Sequence, residues 1–172
     1  MNPVKIFLAL YKKYLQTFQP IRFAKYMGVN FGANLRIYGK IYWSTEPWII
    51  TLGENVHLTD NIYFVTHDGG TLLYRKHIKD LEITKPITIG NDVYVGINTV
   101  FLPGVKVGNN VVIGACSVVS RDIPDDSVVA GNPARIIKTS EEYLKKLKRE
   151  SLHLGHLTGK EKNNALKQYY SR

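Results

Sequence analysis

From Ile83 onward the chain places a large apolar residue at every sixth position: Ile83, Ile89, Val95, Phe101, Val107, Ile113 and Val119. Four residues after each comes a small, β-branched or aliphatic side chain: Ile87, Val93, Thr99, Val105, Val111, Ser117 and Ile123. Gly90, Gly96, Gly108 and Gly114 directly follow four of the apolar positions. Neither a helix nor a long alternating strand has a period of six. Strands of about four residues, each followed by a tight turn, produce it. Three such sides close a triangular coil of about 18 residues, and coils stack at the strand spacing of about 4.8 Å. The apolar residue then points into the prism at every step. Glycine sits where backbones approach, and Asn91-Asp92 and Asn109-Asn110 supply turn chemistry at the corners.

The same period runs through Leu52, Leu58 and Phe64, with Val56 and Ile62 four residues on. Three further hexads from Phe64 would end at Glu82, one position short of Ile83. The segment between holds Gly69-Gly70 and the charged run Arg75-Lys76-His77-Ile78-Lys79-Asp80, so residues 68–82 are expected as a loop expelled from the solenoid. Residues 28–51 carry weaker hexads around Gly32 and Leu35, interrupted by Tyr38, Tyr42, Trp43 and Trp48, and predict the first coil or two. Residues 1–27 read as a helical cap broken at Pro20, residues 28–138 as the solenoid, and residues 139–172 as a helical extension. Thr139-Ser140-Glu141-Glu142 is a capping box opening a helix to about Arg149, and Thr158-Gly159-Lys160-Glu161 repeats the signal. Caps are expected where an exposed coil would leave a sticky edge.

Composition narrows the function classes. With 172 residues and 44% hydrophobic content, the chain can bury one core but has little room for another. Its apolar stretches are shorter than the ~20 residues of a bilayer span, and no small-residue cleavage site follows the first of them, which predicts no secretory signal. A single cysteine, Cys116, excludes an internal disulfide framework and fits a reducing, cytoplasmic setting. The formal charge of +9 divides into +7 over residues 1–40, −3 over 41–137 and +5 over 138–172. A nucleic-acid binder would concentrate its cations on the scaffold, so this distribution argues for no nucleic-acid partner. The basic ends allow peripheral association with the inner face of an anionic membrane, and equally fit solvated caps.

Ile89-Gly-Asn-Asp-Val-Tyr-Val-Gly, Leu102-Pro-Gly-Val-Lys-Val-Gly-Asn-Asn-Val and Val129-Ala-Gly-Asn-Pro-Ala-Arg together resemble the hexapeptide-repeat acyltransferases. Within that family the chain is most similar to the maltose/galactoside O-acetyltransferase branch and its polysaccharide-modifying relatives, over about residues 28–138. The resemblance implies an all-β, left-handed parallel β-helix and a homotrimer. It also implies acetyl-CoA as co-substrate in the cleft between subunits, with no metal. In Thr66-His67-Asp68-Gly69-Gly70, His67 takes the place of the family's histidine base at the foot of the expelled loop. An unactivated hydroxyl is a poor nucleophile, and imidazole is the side chain best matched to proton transfer near neutral pH.

The resemblance carries further residues over. Ile97 and Ala115, one complete coil apart in sequence, match positions lining the pantetheine channel, and Ser120 and Arg121 match its adenosine end. Arg135 and Lys138 are candidates for the CoA phosphates or are solvated cations. Asp68 orients His67, contacts the acceptor or caps the loop turn. Glu46 with Trp48 is a candidate sugar platform, or the tryptophans pack a corner. Trp43-Ser-Thr-Glu46-Pro47-Trp48 lacks the polar pattern of simple-sugar enzymes, which favours capsular, exopolysaccharide or O-antigen acceptors. His77 is the rival base, flanked by Lys76 and Lys79, while His57 sits on a coil face or corner. Nothing near Cys116 favours a thiolate, so it is not expected to be a nucleophile. N-acetylation of an amino sugar or nucleotide sugar, and antibiotic acetylation, are alternatives on the same scaffold. A three-histidine metal enzyme is disfavoured because His57, His67 and His77 are ten apart, out of phase with a coil of three hexads. A non-catalytic solenoid is the alternative from another class.

Overall fold

The computed structural model describes residues 3–171; residues 1, 2 and 172 of the expected end segments lie outside it. Helices α1 (Pro3–Phe18) and α2 (Pro20–Met27) come first. The first coil holds strands β1 (Asn30–Phe31), β2 (Arg36–Ile37) and β3 (Ile41–Tyr42), and the second β4 (Ile50–Leu52), β5 (His57–Leu58) and β6 (Ile62–Phe64). A single turn of helix, α3 (Thr71–Tyr74), lies in the excursion that follows. The third coil holds β7 (Ile87–Ile89), β8 (Val93–Val95) and β9 (Val100–Phe101), and the fourth β10 (Lys106–Val107), β11 (Val111–Ile113) and β12 (Val118–Val119). Then come β13 (Ser127–Ala130), β14 (Arg135–Thr139), α4 (Ser140–Glu150) and α5 (Gly159–Tyr170).

Strands of successive coils pair in parallel and build three sheets. The first stacks β1-β4-β7-β10, the second β2-β5-β8-β11-β13, and the third β3-β6-β9-β12. Strand β14 closes the second sheet by pairing antiparallel with β13. The chain is therefore not all-β as expected: parallel strands form the coils, but α1 and α2 precede them, α4 and α5 follow them, and a 3₁₀ turn (Pro47–Ile49) and α3 lie between strands. Within each three-residue strand the outer two side chains point inward and the middle one outward, as in Ile87-Thr88-Ile89 and Val93-Tyr94-Val95. This explains why two apolar registers exist. They are the two inward positions of one short strand. Two of the inward positions are polar, and each is satisfied locally. The Thr99 hydroxyl donates to the Gly96 carbonyl (2.6 Å) and the Ser117 hydroxyl to that of Gly114 (2.7 Å). Against the third sheet, Trp43, Phe64 and Phe101 stack through the core at centroid spacings of 5.2 and 5.0 Å, adding about 0.5–1.5 kcal/mol per pair beyond area burial.

Coil length varies, and the excess is local. Between the third and fourth coils the register step is three hexads, pairing Val93 with Val111. Between the first and second it is half a hexad longer, pairing Arg36 with His57. Between the second and third it is twice three hexads and one position more, pairing His57 with Tyr94. The extra residues of both long coils fall at the same corner, where the third sheet turns to the first. In the first coil this is the stretch from Trp43 to Ile49. In the second it is the excursion between Phe64 and Ile87. There the structure corrects one expectation: Ile83 is not an inward hexad residue but 38% exposed. The Asp68 N–H donates to the Ile83 carbonyl and the Lys85 N–H to the Thr66 carbonyl, closing the neck of the excursion as an antiparallel bridge between His67 and Thr84. The coil register resumes only at Ile87. Residues 28–51 supply one coil, not two.

The corners are made by residues of positive φ. Asn55, Asp92, Asn110 and Asp126 occupy this conformation where the first sheet turns to the second, and Asn61, Asn98 and Cys116 where the second turns to the third. Asn and Asp tolerate it because their short side chains bond locally. Asn61 donates to Asn98 Oδ1 (2.7 Å), and Asn98 in turn meets Cys116 Sγ at 3.7 Å. Gly96 is required by crowding: a Cβ there would stand 2.5 Å from the Ala115 nitrogen of the next coil.

At the amino end Leu15, Phe23 and Ala24 join the buried cluster that contains Val29 and Leu35 of the first coil. Helix α2 begins with Pro20 at its first turn and ends at Gly28, whose φ of 92° is the left-handed cap. The described residues from 141 onward form a separate compact unit. Its helix α4 carries i,i+4 pairs Glu141–Lys145 (2.8 Å) and Glu150–Lys146 (3.7 Å). Helix α5 starts after Thr158 as expected, but without the side-chain cap that the sequence suggested.

Cys116 stands in a corner position where Asn61 and Asn98 hold the ladder below it. Replacing it as Cys116→Asn should raise unfolding stability by about 0.5–1 kcal/mol, through a stronger ladder bond and better tolerance of positive φ. Thermal unfolding at fixed protein concentration checks this.

Candidate functional site

The two lengthened corners lie one coil apart, so they stack. The first-coil corner brings Ser44, Thr45 and Glu46 beneath Thr66 and His67 at the foot of the excursion. The sequence step from Glu46 to His67 equals the register step from Arg36 to His57, so the two side chains sit at the same point of successive coils. The His67 Nδ1 and Glu46 Oε2 atoms are 2.9 Å apart. Thr66, completely buried, donates its hydroxyl to the same carboxylate oxygen (2.6 Å), and Thr45 donates to Oε1 (2.5 Å). Ser44 completes the network: its hydroxyl oxygen accepts from the Thr66 N–H (3.4 Å) and lies 2.7 Å from the Thr66 hydroxyl.

These donors settle the protonation of the group. The Thr45 and Thr66 hydroxyls, helped by the His67 ring and opposed by partial burial, hold the Glu46 carboxyl down to about 2 from an ordinary 4.5. As a carboxylate, Glu46 accepts only. His67 therefore donates from Nδ1, and Nε2 is the nitrogen available to take a proton. Thr45 Oγ1 also approaches His67 Nδ1 at 3.4 Å, but its hydrogen is committed to Glu46.

A cavity of about 260 Å³ opens beside this dyad, lined by Thr45, Glu46, His67, Asp68, Arg75 and Glu82 among others. Arg75 is locked inside the excursion by Glu82 and by the Leu81 carbonyl (3.0 Å to Nε). Asp68 Oδ1 accepts the Gly70 N–H at 2.8 Å, so of the roles open to it this oxygen caps the turn. Trp48 is 60% exposed in a 3₁₀ turn and does not line the cavity, whereas Trp43 is in the core. The expected Glu46–Trp48 platform is not assembled: Glu46 turns to His67. His77 lies in the excursion and does not line the cavity. His57 is held on the second sheet between Tyr38 Oη (2.9 Å to Nδ1) and Asn55 Oδ1 (3.1 Å to Nε2). A larger cavity of about 580 Å³, between α1 and the Ile37–Lys40 corner, contains none of the predicted site residues.

The residues expected along the CoA channel divide between corners. Ile97 and Ala115 are exposed where the second sheet turns to the third, one directly above the other, with the Cys116 N–H donating to the Ile97 carbonyl (2.7 Å). Ser120 and Arg121 are exposed at the corner that carries His67, two coils further along the prism. Arg135 and Lys138 lie on β14 at the edge of the second sheet. A single chain therefore places Ile97 and Ala115 on a different corner from His67. Among the described residues no group of three or more His, Cys, Asp or Glu is placed to hold a metal ion. The Glu46–His67 pairing had one sequence signal, the shared corner once coil length is known, but the lengthened first coil hid it.

Known proteins agree with this architecture. The family model described as bacterial transferase hexapeptide (six repeats) matches residues 86–121. Protein CapG of Staphylococcus aureus is 38% identical over 145 residues, spanning 83% of this chain and 82% of CapG. The galactoside O-acetyltransferase of Escherichia coli K12 is 34% identical over 139 residues, spanning 71% of this chain and 64% of that enzyme, just under two thirds of its length. The hexapeptide-repeat-containing acetyltransferase VCA0836 of Vibrio cholerae, solved with acetyl-CoA, aligns with a TM-score of 0.57 at 26% identity, covering 74% of this chain and 82% of that one. With its coils, its stacked corners and these relatives, the chain belongs to the hexapeptide-repeat family of acyltransferases.

Proposed function

We propose that the protein transfers an acetyl group from acetyl-CoA to a hydroxyl of a sugar, with His67 as general base oriented by Glu46. The observation that carries this reading is the 2.9 Å contact from His67 Nδ1 to a carboxylate held ionised by two threonines, at the mouth of a cavity. Support for the donor comes from the acetyl-CoA complex of the Vibrio relative, and for the hydroxyl acceptor from the galactoside O-acetyltransferase. The acceptor is read as a capsular, exopolysaccharide or O-antigen sugar, because the corner from Trp43 to Trp48 lacks the polar pattern of simple-sugar enzymes.

The chemistry balances without an added group. His67 Nε2 takes the acceptor proton as the oxygen attacks the thioester carbonyl. The positive charge that develops on the ring is stabilised by Glu46 through the Nδ1–H bond. Backbone N–H groups stabilise the tetrahedral oxyanion, worth about 3–4 kcal/mol per donor in other enzymes. On collapse the C–S bond breaks, the imidazolium returns its proton, and CoA leaves as the thiol. With the family we assign a left-handed coil and a homotrimer with CoA in the cleft between subunits; Ile97 and Ala115, on a different corner from His67 within one chain, are read as lining that cleft from a neighbouring subunit. Ser120, Arg121, Arg135 and Lys138 are assigned to the CoA side of that cleft.

Replacing His67 with Ala should lower kcat by about 10³-fold on the best sugar of an acceptor panel while leaving CoA affinity by calorimetry within about twofold. Full activity in that variant would remove His67 as the base. Glu46 also has a pH signature. Its folded pKa lies below its unfolded value, so its contribution to stability is complete above about pH 4.5 and is lost as pH falls towards 2. Denaturant titrations across that window should show the parent chain losing more stability than the Glu46→Gln variant, and parallel curves would contradict the assignment.

A further inference from the structure

The larger cavity, about 580 Å³ between α1 and the first coil, takes no part in the chemistry assigned to His67 and Glu46. Its volume lies within the ~300–1,000 Å³ of small-molecule sites. One wall is a face of α1 on which Lys13, Gln16 and Thr17 recur at spacings of three and four residues. The other is the corner of Ile37, Tyr38 and Lys40. No carboxylate lines the cavity, and residues 1–40 contain no Asp or Glu. The side chains of Lys13 and Gln16 have no partner among the described residues. Thr17 donates its hydroxyl to the Lys13 carbonyl (2.9 Å), which leaves its oxygen open to a donor. Lys40, by contrast, holds its ammonium over the Tyr42 ring, 4.4 Å from the centroid, and its backbone N–H donates to Asp60 Oδ1 (2.6 Å).

Tyr38 is 61% exposed yet fixed in place. Asn55 Nδ2 donates to Asp92 Oδ1 (2.7 Å), so Asn55 Oδ1 accepts from His57 Nε2 (3.1 Å), and His57 Nδ1 in turn accepts the Tyr38 hydroxyl (2.9 Å). An aromatic plate held in advance loses little rotamer freedom on binding. Such a plate suits the C–H face of a sugar ring, and Gln16 and Thr17 suit its hydroxyls. Lys13 adds a cation that no acid neutralises, which selects a ligand with negative charge. We infer that this cavity binds a saccharide bearing a carboxylate, with Lys13 on the carboxylate and Tyr38 against the ring. A lone inorganic anion would meet Lys13 and leave the ring and most of the volume unused.

The place of the cavity in the fold makes that saccharide the acceptor, a step that rests on the acetyl-transfer reading. Lys40 shares its corner with Ile97 and Ala115. The Asn61 N–H donates to the Lys40 carbonyl (2.8 Å), the Asn98 N–H to that of Asp60 (3.1 Å), and the Cys116 N–H to that of Ile97 (2.7 Å). The cavity therefore opens two coils, about 10 Å, from Ile97 along the corner assigned to CoA. His67 closes the second coil, so in height it falls between Lys40 and Ile97. In the proposed trimer, thioester and acceptor then meet the base from opposite ends of one cleft.

The test measures binding to the full chain by calorimetry at low salt. The ligands are the methyl glycosides of glucuronic acid, galacturonic acid and N-acetylneuraminic acid, each beside its neutral counterpart with the carboxylate reduced to the alcohol. At least one acidic member should bind about tenfold tighter than its counterpart, a preference that shrinks as salt rises. Lys13→Ala should bring that pair within about twofold, whereas Tyr38→Leu should weaken both members alike, by about fivefold. Lys13 is exposed, so its variant keeps the test valid if the Tyr38 variant does not fold. Equal binding of acidic and neutral members across the panel, no binding at all, or an unchanged preference in Lys13→Ala overturns the inference. So does displacement by an equal concentration of inorganic phosphate, which would make the cavity a general anion site. Lys13-dependent binding without acetyl transfer would remove the reading of the reaction and leave the cavity assignment standing. Transfer to neutral sugars with no acidic preference in binding would do the reverse.

Discussion

Each coil hydrogen-bonds to the next through its backbone, and this ladder is what the site rests on. The Gly90 N–H donates to the Val107 carbonyl, the Gly96 N–H to that of Ile113, and the Val100 N–H to that of Ser117, each bond joining one turn to the turn above. Parallel pairing in register forces residues one coil apart to share a face or a corner. Sequence distance thereby becomes vertical adjacency, and a short side chain on one turn reaches the corresponding side chain on the next. The Asn61–Asn98 bond and the Glu46–His67 contact are the same event at two different corners.

The corner that carries His67 differs from the others in one respect. It tolerates extra chain, because a turn that leaves the prism and returns at the same point disturbs neither the sheets nor the inward registers. The few extra residues of the first coil raise Thr45 and Glu46 to the level of the imidazole. The longer excursion of the second coil supplies one wall of a cavity through Asp68, Arg75 and Glu82. The buried Thr66 hydroxyl ties both together. Deleting a partner from such a buried hydroxyl leaves it unsatisfied at a cost of about 1–3 kcal/mol, so the network gives the site rigidity as well as charge.

Much of this was legible in the residues alone. The period of six, the expelled loop and His67 at its foot are visible because hexads repeat without a slip from Ile89 to Val119, and the structure buries each of these apolar positions. The limits of legibility are physical. Ile83 obeys the period by residue type, but the neck of the excursion bonds back on Thr66 and Asp68 before the coil resumes, which leaves it exposed. Glu46 reads as a sugar contact because its neighbours are tryptophans. Only the longer step between the first two coils, concealed by aromatic residues in 38–48, reveals its partner. The division of Ile97 and Ala115 from His67 is likewise a matter of corners: a repeat of three hexads sets height along the prism, but which corner a residue occupies follows from its place within the coil.

The central claim is that Glu46 fixes the tautomer of His67 so that Nε2 carries the lone pair. Nitrogen-15 correlation spectra of the imidazole in its uncharged form test it most directly. The account predicts a ring protonated at Nδ1 with an unprotonated Nε2, and loss of that preference when Glu46 is replaced by Ala. A ring protonated at Nε2 in the unaltered protein would contradict it.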